Sequence, residues 1–243
     1  IHQDAQAYES LKLAHTLVVL QDQAIYSVPE EFRHKVQVVY QSTAGLPAAL
    51  NKPLPLRCVM VGHLREEKMP ETLMETSVHL KDETGIEFLH IGEALDERYR
   101  EQARQTMASN PRYQWLGGLP HEVCLSHIRD AHLLIHCSKM EGGAHVIMEA
   151  VRSGTVVLAS KIDGNVGMLG EDYSGYFTLG DSQQLATLIV SLQHELETEP
   201  GAPVDSLYRR LKKQGEARAP LFTADSEQAA LLNAIQHASP SSH

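Results

Sequence analysis

From Leu56 onward, short apolar runs alternate with amphipathic stretches, and this alternation limits the fold more than any other feature of the chain. Leu56 to Val61 reads as a strand and about Pro70 to Leu80 as a helix; Ile86 to Ile91 and Asp96 to Ser109 repeat that pair. A short strand at Tyr113 to Leu116, a helix at His121 to Asp130, a strand at Leu133 to His136 and a helix at Ala144 to Ser153 follow. Val156 to Ser160 and Ser182 to Leu196 close the series as strand and helix. Strands and helices alternating at this length build an α/β fold, a parallel sheet with helices on both faces. Val156-Val157-Leu158-Ala159 is apolar without alternation, as a strand buried on both faces requires. Ligands of such sheets bind at the carboxyl ends of the strands. Gly62, Gly117, Gly118 and Ser138 fall just after strands, on that edge.

The flanks differ. Before Asn51, a helix at Tyr8 to Ala14 and strands at Thr16 to Leu20 and Lys35 to Tyr40 are too few to build a core of their own. Residues 1–50 therefore read as the tail of a preceding domain plus a connector, and Asn51-Lys52-Pro53-Leu54-Pro55 punctuates the start of a main domain over 51–200. After Glu199-Pro200-Gly201-Ala202-Pro203, residues 201–243 carry helices from about Val204 to Ala217 and Ser226 to Ala238, and a frayed end from Ser239. The first residue is Ile1, so the chain is expected to be part of a longer one.

Charge and cysteine content narrow the function. A formal net charge of -10 disfavours a nucleic-acid partner. No apolar run approaches the ~20 residues of a membrane span, and no secretory signal is visible. Cys58, Cys124 and Cys137, odd in number and widely spaced, argue against a disulfide framework and suit a reducing cytoplasm.

The richest stretch is Ser138-Lys139-Met140-Glu141-Gly142-Gly143-Ala144-His145-Val146-Ile147-Met148-Glu149-Ala150. It follows the apolar run Leu133-Leu134-Ile135 and opens a helix. A glycine pair lets backbone approach a ligand, and a helix start offers free N–H groups and a positive dipole end to phosphate. Glu149, placed about two turns in, leans back toward the helix start and can accept hydrogen bonds from two vicinal hydroxyls, such as those of a ribose. The spacing alone is uninformative: Glu67/Glu75, Glu75/Glu83 and Glu93/Glu101 share it, in polar stretches that read as solvated surface. Only Glu141/Glu149 has a strand before it and Gly-Gly between. Val61-Gly62-His63-Leu64-Arg65-Glu66-Glu67-Lys68 leaves the first main strand at the same edge. There, Arg65 and Lys68 can neutralise a diphosphate without a metal.

Gly62, Arg65, Lys68 and Glu141-x7-Glu149 resemble the retaining GT-B glycosyltransferases of family GT4, over roughly Leu56 to Leu196. This is the Rossmann-like, nucleotide-sugar half of that fold. A narrower stretch, Glu141 to Val146 with Gly164-Asn165-Val166-Gly167-Met168-Leu169-Gly170-Glu171-Asp172-Tyr173, is similar to a bacterial subgroup containing the selenosugar synthases of selenoneine biosynthesis. Those use a UDP-sugar donor and selenophosphate as nucleophile. The resemblance implies that Arg65 and Lys68 bind the diphosphate and stabilise the leaving group, that Glu141 contacts the donor sugar, and that Glu149 binds the ribose. It implies that backbone of Gly142, Gly143, Ala144, His145 and Val146 approaches sugar and phosphates, and that backbone near Leu119 meets the uracil. Gly62 and His63 join the same edge. The reaction implied is displacement at the anomeric carbon as charge builds on the departing UDP. Two departures bear on the sugar: His145 stands where the subgroup often has asparagine, and Gly143 replaces a frequent bulky residue. The UDP-sugar is a substrate, and no cofactor or metal is required. By the same analogy roughly a hundred residues, one Rossmann-like unit, are missing from the front.

Other features carry less. Among the 14 histidines, His132 and His136 are four apart on a strand-like run, and no Cys-x-x-Cys or His-Glu-x-x-His pattern exists. His63 can meet ligand or simply pack its loop. Ser138 lacks a His/Asp companion, and Tyr113 and Trp115 read as strand packing. Arg209, Arg210, Lys212 and Lys213 read as a solvated helix face. Three function classes stay open: a UDP-sugar transferase; a nucleotide-sugar-binding module completed by a missing N-terminal domain or partner chain; and an epimerase or hydrolase on the same fold.

Overall fold

The computed structural model describes residues 5–49, 52–198 and 206–238. The boundary expected at Asn51, the punctuation at Glu199 to Pro203, the helix start at Val204 and the end from Ser239 lie outside them. A leading helix α1 (Ala5–Leu13) precedes a two-stranded parallel sheet of β1 (Leu17–Val19) and β2 (Val36–Val38), with 3-10 turns at Asp22–Ser27 and Glu30–Lys35 between the strands.

The main body alternates β3 (Leu56–Val61), α2 (Pro70–His79), β4 (Ile86–Ile91), α3 (Glu97–Ser109), β5 (Tyr113–Trp115) and α4 (His121–Asp130). It continues with β6 (Leu133–His136), α5 (His145–Arg152), β7 (Val156–Ser160), α6 (Asp163–Leu169), β8 (Tyr176–Phe177) and α7 (Ser182–Glu197). Its six strands pair in parallel in the order β5-β4-β3-β6-β7-β8. One helical group packs α2 against α3 and α7; the other packs α5 against α4 and α8 (Leu207–Arg218). Every residue of β6 and β7 is buried, which accounts for their unalternating apolar sequence. The chain closes with a 3-10 turn, Ala219–Phe222, and α9 (Ala224–Ala238).

Two elements depart from the sequence expectation. Helix α6 lies where none is expected, because Gly164 and Gly167 lower its intrinsic propensity. Tertiary contact supplies what propensity lacks: Gly164 to Leu169 are all buried. The Gly167 carbonyl accepts from Tyr40 Oη at 2.8 Å and from Arg218 at 2.7 Å, and Met168 O also accepts from Arg218. Strand β8 is two residues long, too short for its alternation to register. The leading segment is tied to both later parts of the chain: Ser42 N donates to Glu227 Oε2 of α9, and Leu46 N to Ser153 Oγ at the end of α5. Arg209, Arg210, Lys212 and Lys213 lie on the exposed face of α8.

Candidate functional site

Strand order decides where a ligand can sit. The chain winds from β3 outward through β4 and β5, then returns to the centre and winds the other way through β6, β7 and β8. The loops leaving β3 and β6 therefore diverge from neighbouring strands and open a crevice at the carboxyl edge, the usual ligand position in open parallel sheets. The β3 loop carries Gly62 to Lys68, and the β6 loop carries Ser138 to Ala144. A backbone bond from Lys139 N to Glu67 O, 2.9 Å long, joins them. At the floor, a side chain at Gly92 would meet Gly62 O at 2.0 Å, so that glycine lets the ends of β3 and β4 close up.

Lys68 and Glu141 meet across this crevice. Lys68 Nζ donates to Glu141 Oε1 at 2.5 Å, and His136 Nε2 lies 3.2 Å from the same oxygen. Burial acts to raise the Glu141 carboxyl, but His136 and Lys68 outweigh it and hold it down at about 2. His136, fully enclosed at the end of β6, is pushed below the usual imidazole value by burial, against the pull of Glu141. It is thus neutral at pH 7. Because the folded Glu141 carboxyl lies below its ordinary 4.5, the unfolded chain binds more protons between those values. The stabilisation is complete above about pH 4.5 and lost as pH falls toward 2. Denaturant melts between pH 2 and 5 should show that slope in the wild-type chain and a flatter one in Glu141→Gln.

Glu149 is the fifth residue of α5, just over one turn in rather than two, because the helix begins only at His145, after the glycine pair. Ile147, Met148, Ala150 and Val151 bury the helix in the core, and Glu149 is drawn in with them at 2% exposure. A carboxylate so buried needs a partner. His121 Nε2, on the first residue of α4, supplies it at 2.6 Å, and His145 Nε2 stands 3.8 Å from the same oxygen. His121 is absent from the sequence expectation; its only signal was its place behind Pro120 at a helix start on the ligand edge. The N-terminus of α5 has no side-chain cap, so its first amides, with those of Gly142, Gly143 and Ala144, are available at the crevice.

The remaining expected residues are less engaged. Arg65 is exposed and stands 3.7 Å from Glu67, not beside Glu141. His63 Nδ1 accepts from Glu93 N, a loop-packing bond. Leu119 is half-buried against the core, before α4. Trp115 Nε1 donates to Gly92 O, and Tyr113 Oη meets His90 Nδ1, so both rings serve the sheet. His132 bonds Arg57 N and Lys52 O, away from the crevice.

Beside Glu141 an open cleft of about 400 Å³ runs between Ser27, Lys139 and the start of α6. Helix α6 packs directly on the glutamate loop: a side chain at Gly164 would stand 2.3 Å from Glu141 O. Gly164→Ala should therefore push the loop outward and cost about 1–3 kcal/mol in denaturant unfolding; unchanged stability would show that the loop yields freely.

The family described as Glycosyl transferases group 1 matches residues 48–217. Among solved structures, the chain is similar to a variant of S. aureus TarM in complex with Fondaparinux, alpha-GlcNAc-glycerol and UDP: TM-score 0.74, 16% identity, 95% of this chain and 46% of TarM covered. It is also similar to Anabaena Alr3699/HepE in complex with UDP and glucose (TM-score 0.70, 17% identity, 95% and 65% covered). A third likeness is to the apo lipopolysaccharide outer core galactosyltransferase WaaB (TM-score 0.65, 18% identity, 97% and 65% covered). At these identities the likeness is one of fold. The chain spans about half the length of TarM and just under two thirds of HepE and WaaB. Against curated protein sequences it has no match.

Proposed function

The chain belongs to the glycosyl transferases group 1 family, and from that premise we propose that it binds a UDP-sugar in the crevice and transfers the sugar to a small nucleophilic acceptor. The observation that carries this reading is the meeting, at one winding switch, of a lysine, a half-buried and a buried carboxylate, and an uncapped helix start. In the proposed complex Glu149 takes the ribose hydroxyls, while Lys68, Arg65 and the amides of Gly143 to Val146 hold the diphosphate. Glu141 faces the sugar, and Leu119 backbone meets the uracil. Positive groups fixed before reaction oppose the charge that grows on the departing UDP, which is where electrostatic catalysis acts. Lys68 and the α5 dipole do this without a metal. The acceptor approaches through the cleft beside Glu141. For its identity, the resemblance of Glu141 to Val146 and Gly164 to Tyr173 to selenosugar synthases favours selenophosphate, which arrives already ionised and needs no strong base.

Residues 1–50 are proposed as part of a neighbouring domain with its connector, 51–200 as the nucleotide-sugar domain and 201–243 as helices returning toward that neighbour. The separate β1–β2 sheet and the contact of α9 with β2 support this division. The three free, buried cysteines fit a cytoplasmic setting.

Calorimetric titration with UDP, UDP-glucose and UDP-N-acetylglucosamine tests the reading; a folded chain that binds none of them overturns it. A second reading, a nucleotide-sugar-binding module that needs another domain for turnover, is favoured by the 46% coverage of TarM. UDP release by this chain on addition of an acceptor would exclude that reading, and release without acceptor would point to hydrolysis.

A further inference from the structure

We propose that His136 is a positioning residue: it keeps the Glu141 carboxylate facing the donor sugar once Lys68 has turned to the diphosphate. The inference rests on the UDP-sugar reading above.

In this structure a single oxygen, Glu141 Oε1, serves both partners, Lys68 at 2.5 Å and His136 at 3.2 Å. The two differ in freedom. Lys68 ends a three-residue 3-10 turn on a long flexible side chain that is 20% exposed. His136 is the last residue of β6, 2% exposed and locked in register opposite Ala159. Its Nε2 is buried and has no hydrogen bond of good geometry among the described residues, although it lies within reach of Glu141. An unpartnered buried nitrogen is costly, and the cost is relieved when Glu141 settles onto it.

One ammonium cannot serve a diphosphate and Glu141 at full strength together. A half-enclosed carboxylate that loses its cation takes up a proton or swings toward water. A neutral imidazole with its proton on Nε2 prevents both by donating to the ionised form. The strand itself gives no reason for a histidine: Leu133, Leu134 and Ile135 before it are apolar and fully buried. The charged or titratable groups that face Glu141 among the described residues are the Lys68 ammonium from the β3 loop and the His136 imidazole from β6. Lys139 is turned to Glu66; on the α6 side Gly164 packs on the glutamate and Asp163 lines the shared cleft.

The test removes Lys68 and reads the carboxyl directly. In chains labelled with 13C at the glutamate carboxyl, Glu141 is followed by NMR against pH in Lys68→Met, Lys68→Met/His136→Met and Lys68→Met/His136→Gln. Methionine and glutamine have similar volumes, and only glutamine keeps an N–H. The titration midpoint of Glu141 should rise by about one pH unit or more with His136→Met and return most of the way with His136→Gln. Equal midpoints in all three chains, or equal effects of the two His136 variants, would overturn the inference. If His136→Met does not fold, Lys68→Met/His136→Leu, which matches the apolar residues before it in β6, takes its place: a midpoint raised above that of Lys68→Met/His136→Gln upholds the inference and an equal one counts against it. In the otherwise wild-type chain, His136→Met should lower affinity for UDP-glucose about tenfold relative to UDP, one lost hydrogen bond to a charged group. Failure to bind UDP at all would sink the UDP-sugar reading, while the carboxyl titration would still report whether His136 holds Glu141.

Discussion

Glu149→Gln should weaken UDP binding by roughly 10- to 100-fold, the equivalent of one or two hydrogen bonds to a charged acceptor. The wild-type carboxylate is almost fully buried and, apart from His145 at 3.8 Å, has His121 as its only side-chain partner among the described residues. His121 is two-thirds exposed, so it can turn into water and leave both oxygens to a ribose diol. Glutamine keeps the volume, which spares the packing of Ile147, Met148 and Val151, but it offers one acceptor in place of two and no charge. Titration with UDP and with 2′-deoxy-UDP separates the ribose contact from a general loss. The wild-type chain should prefer UDP by about tenfold, and Glu149→Gln should lose most of that preference, because the coupling lies between the carboxylate and the missing hydroxyl. An unchanged preference in the variant would remove Glu149 from the ribose site.

Lys68→Met should lower transfer by on the order of 100- to 1,000-fold, the typical cost of removing one fixed donor from a developing negative charge. The same substitution should weaken UDP binding far more than uridine binding, since the ammonium acts on the diphosphate. Its effect should shrink as salt rises, because the crevice is partly open and the interaction is screened. Arg65→Ala, in the same loop, should weaken UDP binding in the same sense but by less, because that guanidinium is exposed and loosely paired with Glu67 in the free chain. Equal losses for UDP and uridine with Lys68→Met would mean that the lysine only braces Glu141.

Local order in the main body was legible because periodicity is a local property. Strands β3, β4, β6 and β7 occupy the residues their apolar runs marked out, and α4 begins and ends as its pattern required. Helix α6 was not legible: two glycines in seven residues argue against a helix unless burial and the donors of Tyr40 and Arg218 hold it. In the site, Lys68, Glu141 and a helix start after the glycine pair stood out by residue type and position, the start expected at Ala144 and found at His145. His121 and His136 did not, since a histidine at a helix start or a strand end has many uses, and only the approach of a particular carboxylate selects one.

What the sequence determined by itself was a parallel α/β body with a phosphate-ready helix start after one strand and a basic loop after another. That these two loops belong to one site was a matter of tertiary structure. Lys68 and Glu141 are 73 positions apart, and nothing between them states that β6 inserts beside β3 instead of beyond β5. Strand order is settled by which apolar faces bury one another, a property of the whole sheet. Once it is settled, the two loops share an edge, the ammonium and the carboxylate come within bonding distance, and a histidine at the end of a buried strand becomes part of the site.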